Sequence, residues 1–326
     1  MTSDLRLEPP TPAPEPAPPR TGTRRSRRVP ALAGYAALLS AWTWFAGMPN
    51  DTIQIFLWLW LGVIAWNVEA EPREHLRFLR DWWPPLLALV VYFYSRGIAD
   101  DLHRPVSIDL PIEVDRWLFG GHLPTEVLQQ RLCGDPCDPA SDPRWYDLVF
   151  TTVYASHFMT GLTIAAVLWV RNRDEWRAWM RRLLAISYAA LMIYIVYPMA
   201  PPWWAARYDH LPADLPRITG RGWDDIGIER LNLLLGGVGN KVAAMPSLHA
   251  GIAFLVAAYA ISRLRSPWRW LLAAYPVAMG FALVYYAEHY VIDVLAGWAV
   301  AVAVLAGCAW WERREGLTPR SASPID

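Results

Sequence analysis

The chain is almost without lysine: Lys241 is the only one, so nearly all of its positive charge is arginine. Acidic and basic residues balance at 30 each, and the basic excess that marks a nucleic-acid-binding surface is absent. Charged residues make up only 18% of the chain against 54% hydrophobic ones, and they fall in short stretches between the apolar ones. Three cysteines are too few for a disulfide scaffold. No internal repeat is evident and low complexity is confined to the N-terminal tail, so the inverted repeats of a broken-helix transporter are not visible.

What the sequence has instead is long apolar blocks. A hydrocarbon core of about 30 Å takes ~20 helical residues to cross. Runs approaching that length lie at about 31–48, 52–68, 82–99, 147–170, 183–199, 246–262, 270–286 and 288–311. The expected fold is an all-α integral membrane protein of about eight transmembrane helices. Its expected divisions are a disordered Pro/Arg-rich tail at 1–30, two N-terminal transmembrane helices within 31–81, a six-helix membrane domain at 82–312 and a tail at 313–326.

Arginine sets the expected orientation, because basic residues flanking spans stay cytoplasmic. The cluster Arg24-Arg-Ser-Arg-Arg28 precedes the first run. Arg73, Arg77 and Arg80, the group from Arg171 to Arg182, then Arg263, Arg265 and Arg269, and finally Arg313, Arg314 and Arg320 all fall on the same side. Both termini are therefore expected in the cytoplasm, and the long Pro-rich leader without a small-residue cleavage site argues against a signal peptide. The long connections at about 100–146 and 200–245 are then outside. The first is acidic and carries Trp117-Leu-Phe and Val127-Leu, suggesting a helix on the membrane surface. The second opens with Tyr197-Pro-Met-Ala-Pro-Pro-Trp-Trp204, which reads as an interfacial anchor. Cys133 and Cys137 lie in the first connection, where a local disulfide and two free thiols are both open, while Cys308 reads as packing.

Two stretches carry chemistry: Ala244-Met-Pro-Ser-Leu-His249 and Tyr285-Tyr-Ala-Glu-His289-Tyr-Val-Ile-Asp293. The topology puts His249, His289 and Asp293 at the outer ends of their spans. His289 and Asp293, four apart, would share one face of a helix, where the carboxylate accepts the proton of one ring nitrogen and leaves the other bare. Pro246 and Ser247 are expected in the first turn of the sixth span, whose open N–H groups suit an anion. Arg96, near the outer end of the third span, is the candidate phosphate clamp, with snorkelling to the interface as the plain reading. For His157, inside the fourth span, a structural hydrogen bond is favoured over substrate binding. Arg207 and Lys241, in the second outer connection, either neutralise a phosphate or are simply solvated.

Pro-Ser-Leu-His249 followed by His289-Tyr-x-x-Asp293 resembles the paired signatures of the type 2 phosphatidic acid phosphatase superfamily. Leu248, the His289-Tyr290 pair and Ala200-Pro-Pro-Trp203 make it similar to the inositol phosphorylceramide synthase branch of lipid phosphotransferases, over about residues 90–311. The resemblance implies that 82–312 is a phosphatase-like catalytic core, with His289 as nucleophile, Asp293 as its orienter and His249 as the acid. It implies a phospholipid or polyprenyl phosphate substrate, no metal or other cofactor, and an extracytoplasmic site in the plasma membrane. In one respect the chain departs from the phosphatases: the Ser-Arg pair expected seven and six residues before the last histidine is Ala282-Leu283, and no Lys-x6-Arg-Pro signature appears. This shifts weight to the transferase-like branch, with Arg96 as the substitute clamp.

Two histidines of opposite role are what covalent phosphoryl transfer needs: a neutral imidazole attacks phosphorus while a second acid protonates the leaving oxygen. The acceptor is open, either a lipid or other hydroxyl taking a phosphoinositol-type headgroup, or water in a plain phosphatase acting on phosphatidic acid or a polyprenyl (di)phosphate. Other classes are a two-His-one-carboxylate metal site, weakened by only seven scattered histidines, and a non-catalytic transporter or structural membrane protein.

Overall fold

The computed structural model describes residues 27–47, 49, 52–101, 104–211, 215–224 and 241–317. Among them the regular structure is helical throughout, with β pairing limited to isolated bridges from Met199 to Ser107 and to Ala243. Most of the tail expected at 1–30, part of the second outer connection and the end of the tail at 313–326 lie outside the described residues.

Two helices open the chain, α1 (Arg28–Ala46) and α2 (Thr52–Trp66), which meet through the edge-on contact of Tyr35 with Trp58 at 6.0 Å. Helix α3 (Pro72–Asp101) follows, with Pro84 and Pro85 inside it. Two short helices, α4 (Asp109–Leu118) and α5 (Pro124–Leu132), lead to the long pair α6 (Trp145–Arg171) and α7 (Arg173–Val196). A single residue separates that pair: Asn172 caps α7 by accepting the N–H groups of Asp174 and Glu175, so the chain reverses in one step. Short helices α8 (Pro202–Arg207) and α9 (Arg221–Asp224) precede α10 (Leu248–Arg263), α11 (Ala274–Tyr285) and α12 (Val291–Arg314).

Among the described residues α1, α6, α7 and α12 are long and apolar enough to cross a membrane, with shorter apolar helices at Ile53–Trp66 and Leu248–Arg263. The run expected at 270–286 is not one helix. Ser266 caps a 3₁₀ segment, Pro267–Ala273, whose proline occupies the first turn, and only then does α11 begin.

The two ends of the bundle differ in chemistry. At the end formed by the α6–α7 turn and the C-termini of α10 and α12, arginines are paired rather than merely facing water. Arg182, 5% exposed, forks onto Glu312 at 2.7 Å through both terminal nitrogens and also donates to the Ala178 carbonyl. Arg181 bonds the same carboxylate, Arg263 reaches Glu175 and Arg173 reaches Asp81. Above this belt sits an aromatic core in which Phe78 stacks on Trp82 at 4.7 Å and meets Trp169 at 5.0 Å.

The opposite end gathers the N-termini of α6, α10 and α12 under the connecting segments. Helix α4 lies across it, burying Pro111, Ile112 and Asp115 and exposing Leu110, Trp117, Leu118 and Phe119. Cys133 and Cys137 are joined in a disulfide, which settles the alternative left open by the sequence. Buried Arg221 fastens the same loop by donating to the carbonyls of Asp138 and Asp142 and to Ser141 Oγ, while pairing with Asp147 at 3.5 Å. Gly222 permits that approach, since a Cβ there would lie 2.2 Å from the Asp147 backbone.

Candidate active site

Both chemistry-bearing stretches lie at helix starts, but in a different register from the one their spacing suggests. Pro246 precedes the helix rather than opening it, and Ser247 is the cap of α10, its hydroxyl accepting the Ala250 N–H at 3.3 Å. His249 is therefore the second residue of α10. His289 is not helical at all. Helix α11 ends on Tyr286 with Ala287 at φ 61°, the Ala287 N–H bonding the Val284 carbonyl and the Glu288 N–H that of Leu283. This paired closure is a Schellman end, and it turns the chain off the helix axis before His289. Leu283, which stands where the phosphatases carry arginine, is fully buried and supplies a carbonyl to this closure.

Asp293 is the third residue of α12 and lies over the gap. Its Oδ2 accepts the Tyr290 N–H at 2.9 Å, half of a capping box, and faces His289 Nδ1 at 3.4 Å. The carboxylate is completely buried and His289 is 7% exposed. The expected pairing is thus present, reached across a helix start rather than along a helix face. With Nδ1 turned to Asp293, Nε2 is the ring nitrogen left facing away from the carboxylate.

A backbone bond ties the two stretches together: the Ser247 N–H donates to the Asp293 carbonyl at 3.0 Å. Two glycines allow this closeness. A Cβ on Gly297 would lie 2.2 Å from the Ser247 carbonyl oxygen, and one on Gly251 would lie 3.0 Å from that of Gly297. As a result the His249 and His289 rings sit 6.0 Å apart, centroid to centroid. His157 joins them from α6 with its ring 4.1 Å from His249, and Tyr154, one turn earlier, stacks on His249 at 4.9 Å.

His249 Nε2, His157 Nδ1 and Asp293 Oδ1 are buried without a hydrogen-bond partner among the described residues. The first two lie on rings that are 4.1 Å apart, and unsatisfied polar atoms so close together suit a site shaped for a polar occupant. For His157 the structural hydrogen bond favoured by its position is not seen at Nδ1; its ring packs on His249 instead.

The cations sort into two groups. Arg96 stands 6.0 Å from the Tyr194 ring, whose hydroxyl donates to the Pro246 carbonyl, and its charge acts on both His157 and His249. Arg217 does the same to His249 from the connection that follows α7 and was not among the expected site residues. It donates to Glu288 Oε1 at 2.7 Å, hydrogen-bonds Tyr154 and lies 5.1 Å from the Trp203 ring. Thr219 also donates to Glu288. Nothing in the spacing of Leu215-Pro-Arg-Ile-Thr-Gly-Arg-Gly-Trp223 singles out Arg217 from Arg221, which turns the other way, to Asp147. Arg207 and Lys241 are exposed rather than turned into the histidine cluster.

Trp203 is more than an interfacial anchor. Its backbone N–H donates to the Ala287 carbonyl at 3.1 Å, so the Ala-Pro-Pro-Trp segment braces the turn that delivers His289.

The helical bundle thus carries paired histidines, one of them backed by a buried aspartate, at one end of its apolar helices. The family profile described as PAP2 superfamily matches residues 139–307, more than half of the chain, and the chain belongs to that superfamily. It is similar to the phosphoinositol dihydroceramide synthase of Bacteroides thetaiotaomicron, 27% identical over 61% of this chain and 66% of the relative. It is also similar to the inositol phosphorylceramide synthase catalytic subunits of Saccharomyces cerevisiae, 25% identical over 66% of this chain and 52% of the relative, and of Schizosaccharomyces pombe, 27% over 67% and 50%. The resemblance to the inositol phosphorylceramide synthase branch seen in the motifs therefore extends along the chain. The chain spans between half and two thirds of the length of these relatives. No solved structure matches it significantly.

Proposed function

We propose that this chain is a membrane lipid phosphotransferase that moves a phosphoinositol-type headgroup to a lipid hydroxyl through a phosphohistidine. His289 Nε2 attacks phosphorus, and the P–O bond to the diacylglycerol oxygen breaks as His249 gives that oxygen a proton. Asp293 holds the His289 tautomer and stabilises the cation formed on the ring. The acceptor hydroxyl then loses its proton to His249, attacks phosphorus and releases His289. Arg96 and Arg217, whose charges both act on His249, balance the phosphate charge, and His157 and Ser247 complete the wall of the site. Arg207 and Lys241 remain outside this chemistry.

The observation that carries the proposal is the backbone bond from Ser247 to Asp293 with its two supporting glycines, because it fixes both histidines around one buried spot. The names of the relatives supply the headgroup and the acceptor class. In this reading residues 82–312 form a six-helix catalytic domain after two N-terminal spans, both termini are cytoplasmic, and the site opens at the outer face of the plasma membrane. The arginine-rich end of the bundle lies opposite the histidines, which supports that orientation.

The test is to give purified protein phosphatidylinositol and ceramide in vesicles and to read the products by mass. Transfer of the whole inositol phosphate group with release of diacylglycerol is expected, lost in His289→Ala. Release of free phosphate from phosphatidic acid or a polyprenyl phosphate, with no transfer to ceramide, would assign the chain to the phosphatases instead.

A further inference from the structure

The proposed reaction depends on where the first turn of α12 stands, and that turn is held by a residue outside the catalytic stretches. Asp115, on the buried side of α4, reaches the start of α12. Its Oδ2 accepts the Val291 N–H at 2.8 Å and its Oδ1 the Ile292 N–H at 3.0 Å. These two residues lie between His289 and Asp293, and their N–H groups are among those a helix start leaves without a partner. The carboxylate is fully buried and is aimed at the positive end of the helix dipole. The Oδ2 of Asp293 is given instead to the Tyr290 N–H and to His289. Helix α12 is thus capped from both sides of one turn, by its own Asp293 and by Asp115 from another helix.

Placement explains why so polar a contact is kept. Asp115 and Asp293 bring two buried carboxyl groups to the start of one helix, which a purely stabilising design would avoid. Burial pushes the Asp115 carboxyl up to about 6, the bonds from Val291 and Ile292 pull it back, and the charge of Asp293 adds to the upward push. The carboxylate of Asp115 bonds Val291 and Ile292 rather than a histidine, so Asp115 acts through the turn it grips.

We propose that Asp115 is a positioning residue for phosphoryl transfer: by clamping the Val291 and Ile292 N–H groups it sets the distance and angle of the His289–Asp293 pair. The same clamp couples α4, whose outward side exposes Trp117 and Phe119, to the nucleophile. This inference rests on the assignment of His289 as nucleophile, and the test separates the two.

Asp115→Ala and Asp115→Asn would be compared with wild type in the full chain, reconstituted in vesicles with phosphatidylinositol and ceramide. Glu113→Ala, an exposed neighbour on α4, serves as the control for the helix and is expected to keep wild-type turnover. Misplacement by about 1 Å costs ~100-fold in a positioned reaction, so Asp115→Ala is expected to lower kcat by about 10- to 100-fold with KM within about twofold. Asp115→Asn keeps one acceptor oxygen and is expected to recover part of the loss. Hydrogen exchange gives a readout independent of activity: the Val291 and Ile292 amides should exchange faster in Asp115→Ala while those in the middle of α12 do not change. Wild-type kcat in Asp115→Ala, or unchanged exchange at these two amides, overturns the proposal. A loss confined to KM also overturns it. If His289→Ala keeps full turnover, the nucleophile assignment fails, and exchange alone then decides whether Asp115 holds the turn.

Discussion

Asp293 divides its carboxylate unequally, with Oδ2 shared between a backbone N–H and His289 and Oδ1 left without a partner among the described residues. Converting it to Asn removes the charge that stabilises an imidazolium on His289 and lets the amide present its N–H₂ to the ring. A turnover loss of about 10⁴-fold is expected for Asp293→Asn, by comparison with the analogous change in a serine-protease triad, with little change in substrate binding. Steady-state kinetics on the purified variant check this, and a loss below about tenfold would remove Asp293 from the mechanism. At this scale the sequence was most legible. His249, His289 and Asp293 stand out because ionisable groups at membrane depth are costly. Arg217 does not, since an arginine in a connecting segment is ordinarily solvated, and only the folding of that segment onto Tyr154 and Glu288 brings it in.

Among the helices, the decisive contact is the crossing of α10 and α12 at Gly251 and Gly297. An added methyl at Gly297 meets backbone rather than a movable side chain, so the helices must part and the Ser247 to Asp293 bond must lengthen. Gly297→Ala is expected to cost about 1–3 kcal/mol of stability from overpacking and to abolish most turnover. Thermal unfolding in detergent and the transfer assay check the two parts separately. Helix α4 provides a pH prediction. The folded protein holds the Asp115 proton more tightly than the unfolded chain does, so this group favours folding as pH falls from about 6 towards 4 and opposes it above that window. Wild type is therefore expected to gain stability relative to Asp115→Asn as pH is lowered from 7 to 5. An unchanged difference in melting temperature would show that Asp115 does not titrate there. Apolar run length located the long helices but neither their starts nor the 3₁₀ segment at Pro267–Ala273. The Schellman closure at Ala287 and the capping by Ser247 come from local hydrogen bonding, which a hydropathy pattern does not carry.

For the molecule as a whole, two ends with opposite duties are joined by α6, α7, α10 and α12. One end holds the histidines; the other holds Arg181, Arg182, Arg263 and Arg173 against Glu312, Glu175 and Asp81. In the sequence these arginines read only as markers of orientation, because their acidic partners lie far along the chain and on other helices. The structure makes Glu312 the hub. Removing its charge leaves Arg182 buried without its counter-ion, and breaking a buried pair in this way costs about 3–5 kcal/mol. Glu312→Gln is expected to lower the melting temperature clearly while leaving the turnover of the folded fraction unchanged, since the histidines lie at the far end. A folded variant with impaired turnover would instead mean that the two ends are coupled.

The central claim is that a phosphoryl group is carried on His289. Purified protein would be incubated with phosphatidylinositol labelled in its phosphate, without acceptor, and quenched in alkali, which preserves phosphohistidine. Label on the peptide containing His289, absent in His289→Ala and discharged by adding ceramide, is the predicted result. Transfer to ceramide at the wild-type rate in His289→Ala, or label that stays on the protein when ceramide is added, would contradict it.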